Sequence, residues 1–154
     1  MTSVTLTPGR ISLAQLRQIA RTDCALHLDP ACHAAIDKAA DTVNAIAASG
    51  KPAYGINTGF GRLAQTHIPH EQLELLQRNL VLSHAVGVGE PMSAPVVRLI
   101  IALKLSSLGR GHSGVRGTVI GALLTLFNAN VLPYVPCKGS VGASGDLAPR
   151  GDMS

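Results

Sequence analysis

At 154 residues the chain has room for one compact core, but 46% hydrophobic and 14% charged residues, with a mean hydropathy of +0.27, leave little charge to cover a small monomer. Apolar surface is therefore expected to face a partner, and with 3% aromatics and no Trp the core rests on Leu, Ile, Val and Ala, which suits a mainly α fold of closely packed helices. The net charge of +4 comes from 13 basic and 9 acidic residues, the basic ones scattered from Arg10 to Arg150 without a run, which excludes a nucleic-acid footprint.

The opening MTSVTLTPGR has no basic segment followed by an apolar stretch, so it is not a secretory signal. Val4 and Leu6, ahead of the Pro8-Gly9 turn, predict a short strand; Ser12 then caps a short helix with Leu13, Leu16, Ile19 and Ala20 on one face. Residues 25–28 alternate weakly. Asp29-Pro30 supplies a cap and a preset first position for a helix reaching Ser49, stopped by Gly50. Its predicted buried face is Ile36, Ala39, Ala40, Val43, Ile46 and Ala47. Residues 51–68 carry Gly55, Gly59 and Gly61 without helical period, which predicts a loop of unusual backbone angles, a common seat of chemistry.

A third helix starts near His70 on Leu73, Leu76, Leu80 and Val81 and ends near Gly87. A fourth, capped by Ser93, spans 94–108, and a fifth, capped by Ser113, spans 114–128. The longest apolar run, Val119 to Phe127, is too short to cross a bilayer, so no membrane partner is expected. Pro133 and Pro136 mark an extended connection into a second glycine loop, GSVGASGDLAP, residues 139–149. Cys24, Cys32 and Cys137 are odd in number and lack C-x-x-C spacing, which suggests neither a disulfide framework nor a zinc site and fits a reducing cytoplasm.

Residues 139–146 on their own admit three readings: a plain loop, a nest of backbone N–H groups for phosphate, or a site of backbone chemistry. A G-x-S-x-G elbow is absent, because the residue two after Ser144 is Asp146, which disfavours a conventional serine nucleophile. Backbone cyclisation needs an unhindered Gly nitrogen, a small residue supplying the carbonyl two positions back, and a middle residue able to lose water. Gly145, Ala143 and Ser144 meet those needs in that order. Loss of water across the Ser144 Cα–Cβ bond would leave an exocyclic methylidene, an electron sink that standard side chains do not offer.

GSVGASGDLAP resembles the signature of the aromatic amino-acid ammonia-lyase and aminomutase family, YGINTGFG at 54–61 is similar to its second signature, and RNLVLSHAVGVGE at 78–90 to its substrate-selectivity helix. The likeness extends over nearly the whole chain. It implies the amino-terminal helical part of an ammonia-lyase/fumarase-like fold, with a few short strands and glycine-rich active-site loops. Residues 1–154 would then be the amino-terminal portion of a single ammonia-lyase domain, truncated just after the prosthetic-group loop. The implied prosthetic group is 4-methylideneimidazol-5-one (MIO), formed autocatalytically from Ala143, Ser144 and Gly145, with no external cofactor. Asp146, next in the pattern, would orient the loop during cyclisation or cap the following helix.

By the same resemblance Tyr54 takes the β-proton of the substrate, which requires the phenol to give up its own proton as substrate binds. His84 and Gly61 are implied to bind substrate. The Ser83-His84 pair resembles the histidine-acting branch, which implies non-oxidative deamination of L-histidine to trans-urocanate and ammonia, in a homotetramer. A lone histidine on a helix is otherwise a structural residue, and a tyrosine in a glycine turn a packing one.

Gly109 to Gly114 matches G-x-G-x-x-G but follows a predicted helix, not a strand, so a dinucleotide site fails and a helix–helix connection is expected. His67 and His70 lack a complete ligand set, so no metal is expected. Arg150-Gly151-Asp152 departs from the family pattern, which continues from Pro149 with an apolar stretch and a His. Besides the histidine lyase, three readings stay open: a tyrosine or phenylalanine ammonia-lyase or aminomutase, an anion-binding loop, and a catalytically inactive fragment that only self-associates.

Overall fold

The computed structural model describes residues 2–140 and 142. They form five α-helices and four short strands in two compact units, the division falling within the second helix. The first unit comprises the chain up to Thr42 together with Met92–Pro133; the second comprises Val43–Pro91 and the chain from Tyr134.

In the first unit, strand β1 (Thr2–Leu6) pairs in parallel with β2 (Cys24–Leu28), Thr2 opposite Cys24 and Leu6 opposite Leu28. Parallel neighbours need a crossover, and helix α1 (Leu13–Arg21) supplies it. Alternation turns Val4 and Leu6, and Cys24, Leu26 and Leu28, into the core. Ser12 caps α1 as expected, in a capping box: its Oγ accepts from Gln15 N at 3.2 Å and its own N–H donates to Gln15 Oε1 at 2.9 Å.

Asp29 caps a single 3-10 turn, Pro30–Cys32, accepting from Ala31 N at 3.0 Å, and α2 (His33–Ala48) follows. The predicted face is correct in direction, but only Ile36 is fully buried; Ala39, Ala40, Val43, Ile46 and Ala47 are half-buried. Burial and the neighbouring Asp29 carboxylate push the Cys32 thiol up.

Helix α4 (Ala94–Leu108) carries the first unit. Its Val97, Ile101, Ala102 and Leu105 are buried on one face against α1, both strands and α5 (Gly117–Asn128), which adds Ile120 and Phe127. Ser93 holds the expected cap position, but only its carbonyl is used, accepting from Val96 and Val97 N–H at 2.9 and 3.1 Å. Helix α5 starts three residues later than expected, because Gly114 sits at φ +67°, outside the helical region; Arg116, not Ser113, precedes the first turn. The G-x-G-x-x-G stretch is, as expected, the connection between these helices.

Arg98, 7% exposed, lies within this core. Its Nε donates to Ile19 O at 2.9 Å and its terminal nitrogens to Thr22 O and to Asn130 Oδ1, both at 3.1 Å, while the guanidinium lies 4.4 Å from the centre of the Phe127 ring. Ile19 and Thr22 expose the free carbonyls of the end of α1, which carry partial negative charge. On the open edge of β2, the Asn128 amide accepts from Leu26 N at 2.7 Å and donates to Leu26 O at 3.0 Å, replacing a strand rung with a side chain.

The second unit is organised differently. It holds the end of α2, the loop from Lys51, α3 (Leu73–His84) after a 3-10 turn, and an antiparallel pair of β3 (Val88–Pro91) with β4 (Pro136–Lys138). Of the buried apolar side chains among the described residues, all but Val135 and Pro136 belong to the first unit. Leu75 and Leu82 on α3, Val96 and Leu103 on α4, and Val119 and Leu126 on α5 are exposed, the surplus apolar surface that the composition implied. No helix among the described residues is long and apolar enough to cross a membrane.

Replacing Arg98 by Met should remove its three hydrogen bonds to oxygen and a weaker one to Cys24 Sγ, and orphan two carbonyls, lowering stability by about 3 kcal/mol. Lys, which lacks the fork, should recover less than half of it. Urea melts check both, and a loss below about 1 kcal/mol for the Met variant counts against the role. For the thiols, iodoacetamide should modify exposed Cys137 first, Cys32 more slowly, and buried Cys24 only on unfolding. Mass mapping that finds Cys24 modified as fast as Cys137 contradicts the core.

Candidate active site

Residues 51–69 form a compact loop held by its own hydrogen bonds. Asn57, 2% exposed, is its centre. Its Oδ1 accepts from Ala53 N at 2.7 Å, its Nδ2 donates to Lys51 O at 2.9 Å, its backbone N–H donates to Ala53 O at 3.2 Å, and its carbonyl accepts from Ile68 N at 2.9 Å. Gly59 N–H donates to Thr66 O at 3.0 Å, and Thr58 bridges His67, so the two limbs of the loop run antiparallel. A Cβ on Gly59 would lie 2.6 Å from Leu63 Cβ, which is why glycine stands there. Gly61 sits at φ +56° and opens the 3-10 turn Gly61–Leu63.

Tyr54 stands at the outer turn of this loop, 66% exposed. Its ring packs edge-on against Phe60, centroids 5.6 Å apart at 64°. It lines an open cleft of about 430 Å³ with Pro52, Thr58, Ala64 and Gln65. The loop thus brings Tyr54 and the Phe60-Gly61 turn together.

His84 is the last residue of α3 and is half-buried. Its Nδ1 lies 2.7 Å from Leu80 O and 3.0 Å from Ser83 Oγ, which itself donates to Leu80 O at 2.9 Å. A carbonyl can only accept, so Nδ1 carries the proton, and in the neutral ring Nε2 is then the acceptor. His84 is not among the described residues that line the Tyr54 cleft.

Ala143, Ser144, Gly145 and Asp146 lie outside the described residues. The strand that leads to them is β4, which pairs with β3, Lys138 opposite Val88, and carries the chain to Gly139. There a Cβ would meet Gly87 Cα at 2.9 Å and Val86 O at 3.3 Å, with φ at +138°, so only glycine allows the two backbones this close. The base of the second glycine loop therefore meets the chain just after His84. Tyr134 secures the same ladder, its hydroxyl donating to Gly89 O at 2.7 Å.

Three features escaped the sequence. Asn57 and Phe60 lie inside the YGINTGFG stretch, but the resemblance assigned neither a role; the signals at hand were that stretch and the tendency of Asn to bond nearby backbone in turns. The β3–β4 pair gave none, because Val88-Gly89-Glu90-Pro91 lacks alternation and contains the two poorest strand formers. Among the described residues, no group of His, Cys, Asp or Glu is placed to hold a metal ion.

The sequence matches the model of the family described as "Aromatic amino acid lyase" over residues 11–154. Over 98% of its length it is 73% identical to a histidine ammonia-lyase of Burkholderia mallei and 72% identical to one of Burkholderia cenocepacia, covering 30% of each. Among solved structures, it superposes on a histidine ammonia-lyase from Trypanosoma cruzi with a TM-score of 0.87 at 34% identity, over 99% of this chain and 28% of that one. A tyrosine aminomutase from Streptomyces globisporus gives 0.88 at 28% identity, over 98% and 28%. The chain thus spans about 30% of the length of the curated relatives it matches.

The Gly59 contact yields a test. Gly59→Ala should push Leu63 away and loosen the loop, costing about 1–3 kcal/mol in the second unit. Amide exchange should rise at Gly59 and Ile68, whose N–H groups are loop donors, while exchange in α4 stays unchanged. Unchanged exchange at both loop amides refutes the contact's importance.

Proposed function

The chain belongs to the aromatic amino acid lyase family, and from that premise we propose that it carries part of the active site of a histidine ammonia-lyase, which converts L-histidine to trans-urocanate and ammonia. The observation that carries this choice of substrate is the high identity to histidine ammonia-lyases along nearly the whole chain.

The reaction breaks the Cα–N and Cβ–H bonds and forms the Cα=Cβ double bond. Tyr54 accepts the β-proton, and its exposure on an open cleft gives a substrate access to the phenol. His84 binds the substrate imidazole: with Nδ1–H held by Leu80 O, its Nε2 accepts an N–H from the substrate ring. Gly61, beside Phe60 on the same loop, leaves room for the substrate at the turn.

The chemistry of Ala143, Ser144 and Gly145 fits the MIO group: a small carbonyl donor, a residue able to lose water, and an unhindered nitrogen, in order. When formed, that group supplies the electrophile that activates the amine for departure. Asp146 orients the cyclising loop or caps the next helix. The free thiols fit a reducing cytoplasm, and the exposed apolar helix faces fit assembly into a homotetramer.

The test joins this chain to the remaining length of the Burkholderia mallei relative and assays histidine, tyrosine and phenylalanine. Turnover of histidine is expected, with kcat lowered about 10²-fold or more by Tyr54→Phe and histidine selectivity lowered about tenfold or more by His84→Leu. Activity on the other two amino acids alone overturns the reading of His84 and favours the aromatic lyases and aminomutases. The 154-residue chain by itself, which lacks a counterpart to most of the relatives' length, is expected to be inactive and without the group; an intact mass lighter by two waters contradicts this.

A further inference from the structure

We infer that Asn57 and Phe60 are positioning residues for Tyr54, Asn57 fixing the backbone that carries the phenol and Phe60 fixing its ring; the functional side of this rests on reading Tyr54 as the base. The phenol has little else to hold it. Tyr54 is 66% exposed, and among the described residues its hydroxyl has no hydrogen-bond partner. Its orientation is left to its backbone and to the edge-on contact with Phe60 at 5.6 Å.

That backbone is set from inside the loop by one amide. Asn57 Oδ1 takes the N–H of Ala53, the residue directly before Tyr54, and Asn57 Nδ2 gives to Lys51 O two residues earlier. Through its own N–H and C=O, Asn57 also closes the turn on Ala53 and ties it to Ile68 on the opposite limb. The position needs a donor and an acceptor on one short side chain. Asp supplies no donor when ionised, Ser cannot reach both partners, and Gln is a methylene too long. Proton abstraction tolerates misplacement of the base poorly, of order 10²-fold in rate per ångström, so an anchor that grips the residue next to the phenol bears directly on rate.

The chain has two tyrosines and no tryptophan, so 3-fluorotyrosine labelling gives one ¹⁹F resonance for Tyr54 and one for Tyr134. Tyr134, bonded to Gly89 O in the same unit, reports whether that unit stays folded. Asn57→Asp and Phe60→Leu are each expected to move the Tyr54 resonance to the position of free fluorotyrosine and sharpen it, with the Tyr134 resonance in place. Should Asn57→Asp displace both resonances, Phe60→Leu decides. A Tyr54 resonance that is unmoved in both variants, or is already at the free position in the unaltered chain, overturns the inference.

In the completed enzyme, each variant should lower kcat about tenfold to a hundredfold while KM for histidine stays within about threefold. Phe60→Tyr, which keeps an aromatic ring, should restore kcat to within about threefold; a change confined to KM also overturns the inference. Failure of the two readings is separable. Full turnover in Tyr54→Phe, with the resonance still released by Asn57→Asp, removes Tyr54 as base and leaves the clamp. Abolished turnover in Tyr54→Phe, with both positioning variants silent in resonance and kcat, does the reverse.

Discussion

The first unit depends on a positive charge carried into its interior. Arg98 enters on α4, and a buried guanidinium is stable only where its donors are met. Ile19 and Thr22, at the end of α1, offer carbonyls that no helical N–H can reach, and Asn130 offers its amide oxygen. Each side thereby satisfies the other's desolvated groups. Phe127 of α5 closes over the cation, so one side chain sets how α1, α4 and α5 meet. With α1 fixed, the β1–β2 crossover is fixed, and Asn128 seals the edge of β2 that the short sheet leaves open.

The second unit has no comparable apolar centre among its described residues, and its order comes from backbone pairing. Asn57 holds the Tyr54 loop, and the β3–β4 ladder holds the approach to residues 143–146 beside the end of α3. Hydrogen-bonded loops of this kind fix a few atoms closely while leaving side chains such as Tyr54 open to solvent. The same unit leaves Leu75 and Leu82 of α3 exposed. Stability in the chain is thus concentrated in the first unit and candidate chemistry in the second, a separation that suits a site whose groups must meet a substrate.

Much of the fold was legible because helices declare themselves locally. The capping box at Ser12, the apolar stripe of α4 and the stop at Gly50 each lie within one window of sequence. Errors fell where local chemistry competes with the path of the chain: Ser113 has the right chemistry for a cap, but Gly114 turns the backbone to φ +67° and delays α5. The predicted inner face of α2 was right in direction and too generous in depth, since periodicity gives the side of a helix and not what lies opposite it.

Sequence by itself determined the mainly helical class and the glycine loop over residues 51–68, because residue type and short spacing encode these, while Tyr54 and His84 were singled out by the resemblance of their stretches to the family's signatures. Tertiary structure decided which carbonyls receive Arg98, that Val88–Pro91 is a strand, and that Asn57 and Phe60 hold Tyr54. These are partnerships of backbone and side-chain groups in a folded loop or between distant segments. Their stability depends on where the chain has already been brought, which no window of residues contains.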